Sequence, residues 1–256
     1  MNNLIIIPSR LESSRLPNKP LAEIAGLPMI IHVMNRANQS KCGDVIVATP
    51  NKEIFDIVNS HNGIAVMTKL SHESGSDRIF EALEKYDQDN KYEKIINLQG
   101  DLPNIDPSFI NLTCSLLEKN LDADISTLCS PISNNKEFEN PNVVKAYVNN
   151  SLKPAYADDF VRMPGSYHYD KLYHHLGIYG YKRSSLKKFI STDQSAREKD
   201  FKLEQLRALD NGMKIVIDFV DDIPIGVDTE DDLPVSYTHL RAHETREDLV
   251  CRLVGE

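Results

Sequence analysis

The chain has 256 residues, 41% of them hydrophobic, and a formal net charge of −9. That length can bury one large α/β core with or without a smaller appendage, and the charge excludes the broad basic footprint that bulk nucleic acid requires. No apolar run approaches the roughly 20 residues that span a bilayer, and the start Met1-Asn2-Asn3-Leu4 lacks the basic lead of a signal peptide, so a cytoplasmic protein without membrane insertion is expected.

In chain order, residues 4–7 read as a buried strand, and 29–38 as a helix with Ile30, Ile31, Met34 and Ala37 on its apolar face. A strand is expected at 45–48, a helix at 52–60, a strand at 64–67, and a helix at 77–86 carrying Ile79, Phe80 and Leu83. A strand at 94–98, a helix at 107–118 and a strand at 124–128 continue the alternation, which predicts a parallel sheet covered on both faces. The second half is less regular, with longer strands at 143–148 and 175–181, one helix over 198–210 with Leu203, Leu206 and Leu209, and a strand at 214–219. The expected architecture is α/β, Rossmann-like in its first half and mixed, partly antiparallel, in its second. The cysteines Cys42, Cys114, Cys129 and Cys251 form no C-x-x-C pair, so reduced structural thiols are expected.

Directly after the first strand, Arg10, Arg15 and Lys19 place three cations among serines and prolines. Ligands of open α/β sheets bind beyond the carboxyl ends of strands, where this loop must lie. Arginine offers phosphate a planar fork, lysine a compact point charge. The glycine spacing of a Walker loop or a dinucleotide fingerprint is missing. On charge alone, a phosphate grip and a plain solvated loop stand level.

The string Ile7-Pro8-Ser9-Arg10, then Ser14-Arg15-Leu16-Pro17, Lys19-Pro20-Leu21, resembles the signature of bacterial sugar-activating cytidylyltransferases. With the segments below it most resembles the 3-deoxy-manno-octulosonate cytidylyltransferase (CMP-Kdo synthetase) family, in order from Ile5 to Leu233. The resemblance implies a three-layer nucleotidyltransferase fold with a smaller sugar-binding and dimerisation part, and nucleotide contacts from Pro8, Ser9, Arg10, Arg15 and Lys19.

Gln99-Gly100-Asp101 follows the strand at 94–98, where a carboxylate can meet a metal held by triphosphate oxygens. Asp228, in Gly226-Val227-Asp228-Thr229, reads by itself as a helix N-cap. The resemblance implies that Asp101 and Asp228 hold catalytic Mg2+, and that Gln99 lies at the base and the sugar. Leu102 stands where the family usually has Glu. Arg10, Lys19, Asp101 and Asp228 are thus the expected catalytic residues. Asp122-Ala123-Asp124 precedes a strand and is read as a turn, not as a metal-binding pair.

Ser76 and Asp77 suit helix capping. The segment Ser74-Gly75-Ser76-Asp77-Arg78 also resembles the family's stretch beside the nucleotide, which adds Ser74 and Arg78 to the nucleotide contacts. In His174-His175-Leu176-Gly177-Ile178-Tyr179-Gly180-Tyr181, alternation puts His175, Gly177, Tyr179 and Tyr181 on one face. Buried Tyr and His in a sheet are commonly structural, but the match to the family implies sugar contacts from His175 and Tyr179. Leu203-Glu204-Gln205-Leu206-Arg207 likewise implies Glu204 and Gln205 on sugar hydroxyls.

One segment departs from the family, which carries Tyr-Phe-Ser-Arg shortly before Ile-Pro, its arginine holding the acidic sugar. Here residues 155–164 read Ala-Tyr-Ala-Asp-Asp-Phe-Val-Arg-Met-Pro, with Arg162 as a replacement from a shifted register. The single domain is expected over 1–233, with its nucleotide-binding half at about 1–130 and its sugar-binding part at about 131–225. Residues 234–256 resemble a translated sequencing adapter and carry no functional weight.

The implied reaction is transfer of CMP from CTP to 3-deoxy-D-manno-octulosonate (Kdo) for lipopolysaccharide synthesis, by a homodimer. The alternatives are another acidic sugar (amino-Kdo or sialic-acid-like) and a degenerate nucleotide-binding homologue.

Overall fold

Four consecutive aliphatic residues, Leu4-Ile5-Ile6-Ile7, can all be buried in an extended chain only if both faces of the sheet are covered. The computed structural model describes residues 2–12, 16–152, 154–224, 226–227, 232–234 and 236. In it these four are fully buried in β1 (Asn3–Pro8). Ile5 and Ile7 join one apolar core, Leu4 and Ile6 a second.

After β1 come a 3-10 turn at Lys19–Leu21, the short hairpin β2 (Glu23–Ile24) and β3 (Leu27–Pro28), and α1 (Met29–Gln39). β4 (Asp44–Thr49), α2 (Lys52–Ser60), β5 (Ala65–Met67), α3 (Gly75–Tyr86), β6 (Lys94–Leu98) and α4 (Pro107–Lys119) continue the alternation. The second half contains β7 (Ile125–Pro131), α5 (Asn135–Glu139), β8 (Lys145–Tyr147), β9 (Ala155–Tyr156), β10 (Asp159–Val161) and β11 (Leu172–Lys182). α6 (Arg183–Ser191), α7 (Ala196–Phe201), α8 (Gln205–Asp210) and β12 (Ile215–Phe219) complete it.

The main sheet runs β5-β4-β1-β6-β11-β7-β12-β9, with β8 on β11 and β10 on β8. β5, β4, β1 and β6 are parallel. β11 is antiparallel to both β6 and β7, and β12 is parallel to β7. Side chains from α1, α2 and α4 build the first core, and those from α3, α6 and α8 the second. The result is the three-layer α/β fold with a mixed sheet that the sequence led us to expect. Strand order reverses at β1, since the chain walks outward to β4 and β5 and then returns to add β6 on the other side. The loops after β1 and β6 therefore open a crevice at the carboxyl edge.

Three local readings are corrected. The helix expected over 198–210 is two, because Lys202 adopts a left-handed conformation at φ 54°. Arg162 stabilises that break: its Nε donates to the Phe201 carbonyl at 2.9 Å and its Nη2 to that of Lys202 at 3.1 Å, satisfying carbonyls left open at a helix end. The strand expected at 143–148 is confined to Lys145–Tyr147. The cap of α3 is Ser74, whose Oγ accepts from the Asp77 amide at 3.0 Å, while Ser76 and Asp77 lie inside the first turn.

Cys42, Cys114 and Cys129 are buried and free, and Cys251 lies outside the described residues. Of the residues from 234 onward, Ser236 is buried and its Oγ accepts from Asn104 Nδ2 at 2.8 Å. Among the described residues no helix is long and apolar enough to cross a membrane.

Candidate active site

The loop after β1 is fixed at both ends. The Ser9 amide donates to the Ala48 carbonyl at 2.9 Å, and the Leu11 amide to Asn51 Oδ1 at 3.0 Å, anchoring the loop on β4 and on the residue before α2. At its far end Asn18 takes a left-handed conformation at φ 56°, and the 3-10 turn carries Lys19 back toward the sheet. Lys19 Nζ lies 3.0 Å from Asp101 Oδ2, the carboxylate just past β6. Gly100 lets the two loops meet, since a Cβ there would stand 3.0 Å from the Pro8 carbonyl oxygen.

Between the loops lies a cavity of about 390 Å³. Pro8, Ser9, Arg10, Lys19, Ser74, Arg78, Gln99 and Asp101 all line it, so the described nucleotide-site residues expected from the sequence converge on one space. Arg10 is exposed and makes no hydrogen bond to a described residue. Ser9 is buried, yet its hydroxyl has no partner among the described residues. Arg78 is buried beneath the wall, donating to Thr68 Oγ1 at 2.8 Å and to the Lys69 carbonyl at 3.1 Å. Burial, and after it the Arg10 charge, lowers the pKa of Arg78. Arg15 and Asp228 lie outside the described residues. The Val227 amide donates to the Asp101 carbonyl at 3.0 Å, which brings the 226–227 segment to the loop after β6.

Apart from Gln99, the residues expected at the sugar do not line this cavity. They gather beside it around β11. Two extra residues, Gly177 and Ile178, bulge out between the pairs Leu176–Leu128 and Tyr179–Thr127. Because two are inserted, the alternation survives. His175 and Tyr179 stay on one face with ring centroids 5.2 Å apart, and Phe160 meets His175 edge-on at 5.1 Å. Thr127 Oγ1 donates to the Ile178 carbonyl at 2.7 Å and so takes the His175 Nε2–H at 2.9 Å as acceptor. Burial, with a smaller contribution from His174, pushes the His175 pKa down to about 3, so its imidazole is neutral and its Nδ1 is an acceptor. Gly177 faces the cavity side, where a Cβ would sit 3.5 Å from Gln99 Cγ.

Glu204, just before α8, accepts from Ser76 Oγ at 2.5 Å. Burial pushes its carboxyl pKa up, and hydrogen bonds from Ser76 and then Ser74 oppose the shift. Gln205 is buried beside it. The helix is locked by Arg207, whose Nε and Nη2 donate to the two oxygens of Glu198 at 2.7 and 2.6 Å, and whose guanidinium lies 4.6 Å from the Phe189 ring. Burial alone would lower the Arg207 pKa, and Glu198 more than reverses it.

Arg162 does not face the sugar side as a spare cation. Beyond the two carbonyls at the helix break it donates to that of Pro141 at 3.2 Å. Counting from Tyr156, the place of the family's arginine is taken by Asp159, which is held by Arg197 and, at 2.5 Å, by the Tyr167 hydroxyl. Asp122 pairs with Lys214 and Asp124 accepts from Ser185, in keeping with a structural turn.

Sequence reasoning missed Glu12, His72 and Glu73, which also line the cavity. His72 adjoins the Ser74–Arg78 segment in the chain, and its Nε2 lies 2.5 Å from Glu81, whose pKa falls to about 2. Burial alone would raise that pKa, and the Lys85, Lys69 and His72 contacts overcome it.

A three-layer mixed sheet with a switch-point crevice, cations from the first loop opposed to a carboxylate past the fourth parallel strand, defines a nucleotidyltransferase. The sequence pattern of the cytidylyltransferase family matches residues 4–215, and the chain belongs to that family. It is 48% identical over 238 residues to a 3-deoxy-manno-octulosonate cytidylyltransferase of Brucella ovis, covering 91% of this chain and 93% of that one. The homologue from Brucella anthropi is 47% identical over the same span of 238 residues, covering 91% of this chain and 94% of its own. Among solved structures, CMP:2-keto-3-deoxy-manno-octonic acid synthetase complexed with CTP superposes with a TM-score of 0.83 at 35% identity, covering 96% of this chain and all of that one. A cytidylyltransferase from Leptospira borgpetersenii, 18% identical with a TM-score of 0.59 over 91% of this chain and 83% of its own, shares the fold.

Proposed function

We propose that the chain transfers CMP from CTP to 3-deoxy-D-manno-octulosonate, releasing pyrophosphate and supplying CMP-Kdo for lipopolysaccharide synthesis. The observation that carries this reading is the Lys19–Asp101 pair at 3.0 Å inside a cavity shared with Arg10 and the unpartnered Ser9 hydroxyl. The relatives at 48% and 47% identity, named for this reaction, support it.

In this reading Arg10, Arg15 and Lys19 neutralise the triphosphate, and Ser9 donates to a phosphate oxygen. Catalysis comes from holding the α-phosphorus in line with the acceptor's anomeric hydroxyl and from stabilising the charge that develops. Ser74 and Gln99 fix the nucleotide against the wall. Neutral His175, un-ionised Tyr179, Glu204 and Gln205 orient the sugar through hydrogen bonds. The carboxylate at Asp101 fits Mg2+, since it is an oxygen donor in the phosphate cavity whose Oδ1 accepts no bond from a described residue. Asp101 and Asp228 would hold that ion, which when bound supplies a Lewis acid at the α-phosphoryl group. A cytoplasmic homodimer belongs to the same reading, and sedimentation at micromolar concentration tests its stoichiometry.

A second reading, transfer to another acidic sugar such as amino-Kdo or a sialic-acid-like acid, is favoured by Asp159 in the place of the family's arginine and by Arg162 being bound to backbone carbonyls. Pyrophosphate release from CTP with Mg2+ and a panel of acidic sugars decides between the two. Kdo should give the highest kcat/KM, and release with none of the sugars rejects both.

A further inference from the structure

The nucleotide cavity and the sugar-side cluster are joined by one short polar chain. Ser74 lines the cavity and caps α3, its Oγ donating to Asp77 Oδ2 at 2.7 Å and accepting from the Asp77 amide at 3.0 Å. Two residues on, Ser76 is fully buried and its hydroxyl donates to Glu204 Oε2 at 2.5 Å. Glu204 opens the segment that the Arg207–Glu198 pair locks in place. The first turn of α3 is thus in contact with the nucleotide space on one side and, chiefly through the Ser76 hydroxyl, with the sugar side on the other.

We propose that Ser76 is a positioning residue that couples the two halves of the site, aiming the Glu204 carboxylate at the acceptor while its own turn presents Ser74 to the nucleotide. The inference rests on the cytidylyltransfer reading above. Glu204 is faced by Tyr179 and Tyr181 of β11, Asp77 of α3 and Arg207 of α8. In that setting few groups support the ionised carboxylate, Ser76 first and Ser74 after it, and a buried acceptor deprived of one is costly to keep ionised. The Ser76 hydroxyl supplies a donor to Oε2. Its loss both frees the side chain to rotate and favours the protonated form.

The test compares Ser76→Ala and Ser76→Thr with the wild type, using CTP, Kdo and Mg2+. In Ser76→Ala, CTP affinity measured by calorimetry without sugar should stay within about twofold, while KM for Kdo rises about tenfold, the scale of one hydrogen bond. The acid limb of kcat/KM for Kdo should move to higher pH, since the group that helped keep Glu204 ionised is gone. Ser76→Thr, which retains the hydroxyl, should restore both. The proposal is overturned if Ser76→Ala leaves the Kdo KM and the acid limb unchanged, or if CTP affinity and Kdo KM worsen equally and Ser76→Thr restores neither. Pyrophosphate release by the wild type in the same assay separates failure of this link from failure of the cytidylyltransfer reading.

Discussion

Lys19 Nζ sits 3.0 Å from Asp101 Oδ2 although the two residues are 82 positions apart in the chain. The contact joins the loop after β1 to the loop after β6 across the point where strand order reverses. The side chains are 13% and 36% exposed, so the pair contributes little to folding, on the order of 1 kcal/mol or less. Lys19→Met and Asp101→Asn should therefore each cost about 100-fold or more in kcat/KM. Their melting temperatures should stay within a few degrees of the wild type. Pyrophosphate release and thermal unfolding on the same samples check both halves of that expectation.

The Glu198–Arg207 pair is the opposite case. Both side chains are buried, at 5% and 4% exposure, and the contact is bidentate. Removing one partner leaves a buried charge without its counterion, so Glu198→Ala should destabilise by about 3–5 kcal/mol. Asp122→Ala, at an exposed pair with Lys214, should cost less than about 1 kcal/mol. Urea denaturation of the two variants distinguishes them.

His175 makes folding pH-dependent in a defined direction. Its folded pKa is about 3 against about 6.5 for a free imidazole, so between these values the unfolded chain binds the extra proton. Stability therefore rises with pH through this window and is lost as pH falls from about 6.5 toward 3, by up to about 4–5 kcal/mol. His175→Gln should flatten the stability profile over that range. An unchanged slope between pH 4 and 6.5 in chemical denaturation would show that His175 is not buried neutral.

At Gly100 the backbones of the two loops approach closely. A methyl group there would stand 3.0 Å from a backbone oxygen, which cannot rotate away as a side chain can. Gly100→Ala should push Pro8 and Ser9 aside by about a few tenths of an ångström and raise KM for CTP by roughly threefold to tenfold, since the loop's groups are placed for the bound phosphates. Initial-rate measurements at saturating sugar read this directly.

Local elements with strong periodicity were readable from the chain. Residues 52–60 and 94–98 form the expected helix and strand with the expected ends. The break inside 198–210 was not readable. Leu203, Leu206 and Leu209 keep a helical spacing, but Lys202 is a non-glycine residue in left-handed geometry, supported by Arg162 from the bend after β10. Strands of two or three residues such as β9 and β10 are too short to carry a periodic signal. The two-residue bulge at Gly177 was equally silent, because an even insertion leaves the inward and outward pattern intact.

By itself the sequence determined the class of protein. The cations after the first strand, the acid after the fourth and the ordered family segments are contiguous stretches, and chemistry carried by neighbours in the chain is legible without a fold. The tertiary structure alone decided how those stretches meet: that Ser9, Lys19, Arg78 and Asp101 share one cavity, that Ser76 bridges to Glu204, and that Arg162 is spent on backbone carbonyls. These are contacts between residues far apart in the chain, set by strand order and loop closure, and no local pattern of side chains encodes them.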